Sequence, residues 1–445
     1  MWSFGPGSWR REAVGGERSE LRRRRRRGQT WIGQNVVLLG AIALVLGLAG
    51  LAIGWKAHQR GRFGRLKAEL RAAHTPAAPP AVPPPGGQDP VVLRRSQLAG
   101  DMGPEFLSAT ILPGLGSTVL QVTAFVPGRG EVKLLASPGV EEVAKAVAGD
   151  GPETRGVPDL PGAIEAPWAG AIFGTAGGRV DETATTVAEW RGRRLLLPSE
   201  TAGIAKGGLL RGRAADEIRS DVMPDGGQLQ TVYRAGSFDG HWPSETEVTT
   251  TILLSSRVLE FRIMARNVGK EVEPVGIGWT PRFALPSGDR SQATLRMPVG
   301  VQVETRSGGG RGEPTGRLLP VDGTAYDFTG RMGARVPSAG VRETVVHLRP
   351  ALLDLGPTVE LRDPRSDFGL RVIAMTPMVR AIRVDAPAGV SYIEVAPQLN
   401  YDDPFGREWA RDEDTGIAVL EPGQSIQWKV RVELFSLSAS EAHPF

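Results

Sequence analysis

The chain has no cysteine among its 445 residues, which excludes disulfides, thiolate metal sites and a cysteine nucleophile. That absence leaves the compartment open, because disulfides are optional in a large domain. Histidine is also scarce: of five, only His241 and His347 fall within the region that reads as a folded domain, and His443 lies in the C-terminal tail. No set of histidines and carboxylates has metal-ligand spacing, so neither a metal nor another cofactor is expected. The chain has no Gly-x-Ser-x-Gly elbow, and its glycine-rich stretches lack a following Lys-Ser/Thr, so serine-hydrolase and phosphate-loop readings fail. Helical periodicity is scarce too, with residues 140–147 the clearest short candidate beyond the first 75 residues.

What charge is present is unevenly placed. The formal net charge is +4, but residues 1–34 carry nine Arg against three Glu, and residues 56–74 carry six Lys or Arg against one Glu. These segments stand at +6 and +5, leaving residues 75–445 at −7. A net acidic domain is a poor nucleic-acid binder, so no such partner is expected. Between the basic segments, residues 36–55 hold no charge and match the roughly 20 residues that span a ~30 Å hydrocarbon core. This run is longer than a typical cleaved signal and reads as a retained signal anchor. The run from Arg22 to Arg27 needs neither a nucleic-acid nor a twin-arginine explanation, since a juxtamembrane basic cluster meets anionic lipid at about 1 kcal/mol per residue. The denser positive charge before the helix places the N-terminus in the cytoplasm and the bulk of the chain across the inner membrane.

The expected organisation is a basic cytoplasmic head at 1–34, a transmembrane anchor at 35–55, a basic helix-compatible stretch and proline-rich linker at 56–90, one domain at 91–438 and a tail at 439–445. Residues 75–87 read as a semi-rigid spacer of about 3 Å per residue that holds the domain off the membrane. Beyond it, period-two alternation marks strands near 248–254, 258–266, 369–375 and 426–435. Glu421-Pro-Gly-Gln reads as the turn of a hairpin before the last of these, and residues 307–316 as a mobile loop between strands. Many strands without a βαβ rhythm imply a large antiparallel sandwich.

Three segments carry more specific information: Gly276-Ile-Gly-Trp-Thr-Pro-Arg-Phe283, Pro320-Val-Asp-Gly-Thr-Ala-Tyr-Asp-Phe328 and Tyr392-Ile-Glu-Val-Ala-Pro-Gln-Leu-Asn400. In content and order they resemble the Gly-x-Gly-Trp-His-Pro-Tyr-Phe, Pro-Val-x-Gly-Thr-x-x-Asp-Phe and Ile-Glu-Pro-Gln segments of aldose 1-epimerases. The resemblance covers most of residues 105–435 and is specific from 274 onward. It implies a galactose-mutarotase-like antiparallel β-supersandwich, here preceded by one transmembrane helix.

Mutarotation needs a base at the anomeric hydroxyl and an acid at the ring oxygen, each contributing typically about 10²–10⁴-fold. The resemblance supplies the base as Glu394. Where the family has its catalytic histidine this chain has Thr280, whose hydroxyl does not donate a proton near neutral pH and at most hydrogen-bonds a sugar oxygen. Gly207-Gly-Leu-Leu-Arg211 aligns with His-Gly-x-x-Arg, which keeps Arg211 but replaces the second histidine by Gly207. Pro167-Trp-Ala-Gly-Ala171 replaces the arginine of Pro-Trp-x-x-Arg by Ala171. Asp354 stands where the family has an aspartate that contacts sugar hydroxyls. His241 and Lys206 are the candidates for a substitute acid, the latter only if strongly desolvated.

Of Trp168, Trp190, Trp242, Trp279, Trp409 and Trp428, most are expected to fill a β core. Trp279, beside Thr280, is expected to stack on sugar. The expected function is a membrane-anchored extracytoplasmic carbohydrate-binding protein with little or no mutarotase activity. The alternatives are an active epimerase that uses Glu394, and an assembly module of an envelope complex that binds a protein partner. The last rests on fold analogy to supersandwich domains of a membrane insertase and of periplasmic glucan-synthesis proteins.

Overall fold

The computed structural model describes residues 28–74, 82–95, 103–148, 159–180, 183–306, 312–348, 356–379 and 381–442. They belong to two compact units, 1–81 and 82–445. Among the described residues the first contains one helix, Gly28–His74, about 70 Å long at 1.5 Å per residue. Within it Leu39–Gly61 is long and apolar enough to cross a membrane, and none of it is buried. The helix does not stop at the basic segment: Lys56, Arg60, Arg65 and Lys67 continue it. The second unit begins at Val82 rather than Val91, because the described part of the linker is packed down. Pro85–Gly87 forms a 3₁₀ turn, and the Gln88 amide exchanges two hydrogen bonds with the backbone of Ala215, at 2.7 and 3.0 Å.

The centre of the second unit is a nine-stranded antiparallel sheet. Its spatial order is Glu217–Met223, Gly226–Gly236, Thr246–Leu254, Val258–Asn267, Ser425–Phe435, Phe368–Ala374, Thr358–Asp363, Thr294–Arg296 and Ala334–Arg335. Alternation decides its faces. Leu259, Phe261, Ile263 and Ala265 enter the core beside Trp428, Val430 and Val432, while the intervening Glu260, Arg262, Lys429 and Arg431 face outward. There Glu260 accepts from Lys429 and Arg431, each at 3.0 Å. A second antiparallel sheet runs Pro314–Pro320, Gly300–Thr305, Gly340–Leu348, Ala381–Pro387, Tyr392–Gln398, Gly278–Trp279 and Ile164–Glu165, with Arg282–Ala284 also paired to Tyr392–Gln398. Its Val384, Ile393 and Val395 complete the same core. A four-stranded sheet (Val91–Arg94, Glu105–Leu112, Thr118–Val126, Gly130–Lys133) and a three-stranded one (Thr175–Val180, Thr183–Trp190, Arg193–Ser199) flank it.

All four strands read from alternation are present, as is the helix Val140–Ala148. The hairpin before the last strand is not. Gln424 does donate to the Glu421 carbonyl to close the turn, but the strand ahead of it, Ala418–Leu420, pairs with Glu273–Val275 instead of Ser425–Phe435. Local turn chemistry sets the reversal; the partner is set by tertiary packing. The expected loop at 307–316 joins two paired strands, with 307–311 outside the described residues. In the tail, Leu437–Ala442 is helical, its start held by Asp367, which accepts from the Ser438 amide at 2.8 Å.

Candidate functional site

Glu394 alternates with Ile393 and Val395 on a strand whose other face fills the main core, so its carboxylate points to the opposite side of the sheet. There it is 4% exposed. Oε1 accepts two hydrogen bonds from Arg383, from Nε at 3.1 Å and Nη2 at 3.0 Å. Oε2 accepts from Nε of Arg282 at 3.1 Å. Strand pairing puts both arginines there: Arg282 lies directly opposite Glu394, and Arg383 sits on the other neighbouring strand, opposite Ala396. The carboxylate thus ties three adjacent strands together.

The ion pairs extend outward. Arg383 also approaches Glu165 Oε2 at 3.8 Å, and Glu165 accepts from the Gly170 amide at 2.7 Å. Asp402 accepts from the Ala171 amide at 2.9 Å, and the Asn400 amide group brackets Ala169, donating to its carbonyl at 2.8 Å and accepting from its N–H at 3.1 Å. A Cβ on Gly170, which has φ of +75°, would meet Asp402 Oδ1 at 2.0 Å, so only glycine lets the segment approach so closely. Towards solvent, Arg282 Nη2 donates to Asp159 at 2.9 Å, and the Asp159 side chain is 62% exposed. Desolvation works to raise the Asp159 carboxyl, but the guanidiniums of Arg282, Arg211 and Arg383 outweigh it and hold the group below the usual range. Desolvation lowers the Arg282 guanidinium, yet Asp159 and Glu394 more than offset it and leave the group raised.

Arg211, in the same neighbourhood, pairs with Glu200 at 3.2 Å. A Cβ on Gly207 would meet Glu165 Oε1 at 3.2 Å and Arg211 Nη1 at 3.5 Å. Gly207 also has φ of +69°, a conformation side chains rarely adopt, so the position aligned with the second histidine is adapted to having no side chain. The Thr280 hydroxyl is buried and donates back to the Ala163 carbonyl at 3.3 Å. Glu394, Arg211, Gly207 and Thr280 therefore belong to one region, together with Glu165, Asp159, Arg282 and Arg383. Asp354 lies outside the described residues.

Trp279 is not at a surface. It is wholly buried, its ring centroid 4.3 Å from that of Phe261 and 6.0 Å from that of Phe283, with Nε1 donating to the Gly162 carbonyl at 3.2 Å. A wholly buried ring offers no platform for a sugar, so the expected stacking residue is a core residue. Trp168, Trp242 and Trp428 are buried as well, the first two stacked at 5.3 Å, as expected for a core. His241 sits on a turn with Nδ1 bonded to the Leu196 carbonyl, and Lys206 ends the short strand Ile204–Lys206. His347 lies on the strand Gly340–Leu348. Among the described residues no cluster of His, Asp or Glu could hold a metal.

Among the residues that sequence reasoning missed are Arg282, Arg383, Glu165 and Asp402. Arg282 had a signal, an arginine where the resembled motif has tyrosine. Arg383 had a weaker one, a charge alternating with Ile382 and Val384 inside an apolar strand. Glu165 and Asp402 had none.

The two main sheets and their order define the galactose-mutarotase-like fold. A galactose mutarotase-like protein from Clostridium acetobutylicum superposes with a TM-score of 0.57 at 13% identity, over 77% of this chain and 98% of the other. An aldose epimerase homologue from C. elegans gives 0.56 at 15% identity, over 78% and 99%. A galactose 1-epimerase from Lactobacillus acidophilus gives 0.52 at 13% identity, over 78% and 99%. No family model matches the sequence, and no curated protein matches it significantly. At these identities the likeness defines the fold.

Proposed function

We propose that this is a membrane-anchored extracytoplasmic protein whose galactose-mutarotase-like domain binds carbohydrate and turns it over little or not at all. The observation that carries the reading is the state of Glu394. Its two oxygens are engaged by Arg383 and Arg282, and the aligned acid position is a threonine whose hydroxyl bonds back to Ala163. A carboxylate held this way anchors strands, and no imidazole stands at either position aligned with a family histidine. Ring opening requires coupled removal and delivery of protons, so the loss of one partner is expected to reduce rate by about 10²–10⁴-fold. The partly exposed rim of Asp159, Arg211, Glu200 and Arg282 supplies donors and acceptors suited to sugar hydroxyls. In this reading the anchor is the helix containing Leu39–Gly61, with the Arg-rich head cytoplasmic.

Polarimetry on the full chain in detergent, with glucose and galactose, tests catalysis. The expected rate is at or close to the spontaneous one and barely changed in Glu394→Gln; a rate well above it that Glu394→Gln abolishes sinks the reading. Binding on a glycan array should weaken in Arg211→Ala. Protease added outside the inner membrane should digest the second unit and leave the Arg-rich head intact.

A second reading, an assembly module that binds a protein partner, is favoured by the burial of Trp279 and by the filling of the Glu394 region with the protein's own ion pairs. Absence of any glycan ligand, with the domain folded, would select it.

A further inference from the structure

The strand Glu217–Met223 is an edge of the nine-stranded sheet, and among the described residues its ladder partner is Gly226–Gly236 alone. One row of its backbone groups therefore has no ladder partner among the described residues, the arrangement that invites another strand. Ile218, Ser220 and Val222 lie opposite Thr231, Leu229 and Gly227, all buried, so they stand on the core-facing side of the sheet. Yet the core ends before it reaches them: Val222 is 94% exposed, and Ile218 and Met223 are exposed as well. The other face carries Glu217, Arg219 and Asp221, with Glu217 paired to Arg219 at 2.9 Å and to Arg234.

We propose that this edge pairs antiparallel with the same strand of a second copy of the chain, about a two-fold axis through Ser220. In that register Ser220 faces Ser220, Ile218 faces Val222 on one side of the sheet and Arg219 faces Asp221 on the other, each pair occurring twice. Exposed apolar residues meet each other and opposite charges meet directly, both of which stabilise cross-strand neighbours. Neighbouring registers are penalised. A slip that centres the axis on Asp221 sets aspartate against aspartate, one centred on Arg219 sets arginine against arginine, and an in-register parallel pairing does both. A register centred on Ile218 also sets Glu217 against Arg219, but it overlaps three strand residues instead of seven, so the register centred on Ser220 is the self-complementary one that uses the whole strand, as an isologous interface requires.

The absence of native cysteine makes the test direct. Facing residues of an antiparallel pair have Cα atoms about 4.5–5.5 Å apart, within the usual disulfide range. Full-length Ser220→Cys, mildly oxidised in native membranes, should give a covalent dimer that reductant reverses, whereas Lys133→Cys, exposed on the strand Gly130–Lys133, should not. In the Ser220→Cys background, Arg219→Asp or Asp221→Arg should each lower the dimer severalfold, and the two combined should restore it. Monomer alone from Ser220→Cys, equal cross-linking from Lys133→Cys, or a yield indifferent to the charge swaps would overturn the proposal.

Discussion

Two buried glutamates in this domain have opposite surroundings. Glu394 meets two guanidiniums, from the strand beside it on either hand. Glu273, on the short strand Glu273–Val275, is wholly buried, and among the described residues its carboxylate has the Thr246 hydroxyl as donor, at 2.7 Å, and no cation. Burial pushes Glu273 up from its ordinary 4.5 to about 7, against the smaller downward pull of Thr246. Burial alone therefore fixes neither the charge nor the role of a carboxylate. With cations at hand Glu394 is a strand tie; without them Glu273 is an acid poised near neutrality. Asp403 resembles Glu273: burial, then the neighbouring Glu408 carboxylate, push it up to about 8.

The sharpest way to break the contrast is to remove the cation. Arg383→Met leaves Glu394 and Glu165 buried without their shared guanidinium, and the expected loss is about 3–5 kcal/mol in urea unfolding. Arg383→Met combined with Glu394→Leu should lose less than the single change, because the Oε1 that Arg383 served is removed with its donors.

The converse experiment removes the charge where no described residue supplies a cation. Because the folded-state value of Glu273 is raised, its stabilising contribution is complete below the ordinary 4.5 and lost as pH rises through about 7. Glu273→Gln keeps an acceptor for Thr246 and should stabilise the domain by about 2–3 kcal/mol at pH 9, with little gain at pH 5. Thermal melts across that range check both sign and window; equal gain at both pH values would refute the assignment.

Smaller effects grade with exposure. Arg282→Leu should cost about 1–2 kcal/mol, less than Arg383→Met, because the Arg282 side chain is 25% exposed and water partly replaces it. Arg407→Ala breaks a 2.7 Å pair to Glu189 in which both side chains are mostly open to solvent, and should change unfolding by no more than about 0.5 kcal/mol.

Much of this was legible in the chain itself. Alternation located Val258–Asn267 and Ser425–Phe435, because a half-buried strand writes its two faces into its sequence. Three short segments disclosed the fold at a level of identity where whole-chain similarity is faint. The site was read less well. Trp279 was legible as a motif residue but not as a core residue, since a tryptophan has the same sequence signature whether its ring meets Phe261 or a ligand.

The sequence by itself determined a membrane-competent apolar run, a large antiparallel domain, the absence of cysteine, and threonine and glycine where the resembled family carries histidines. Only the tertiary structure decided what those residues amount to. It brought Arg282 to Glu394 across 112 positions and Arg383 across 11, enclosed Trp279, gave Glu273 no cation from any described residue and left the core short of Val222. The physical reason is that periodicity records which residues share a face, whereas the charge state and availability of a residue depend on what covers that face, and the cover comes from distant segments.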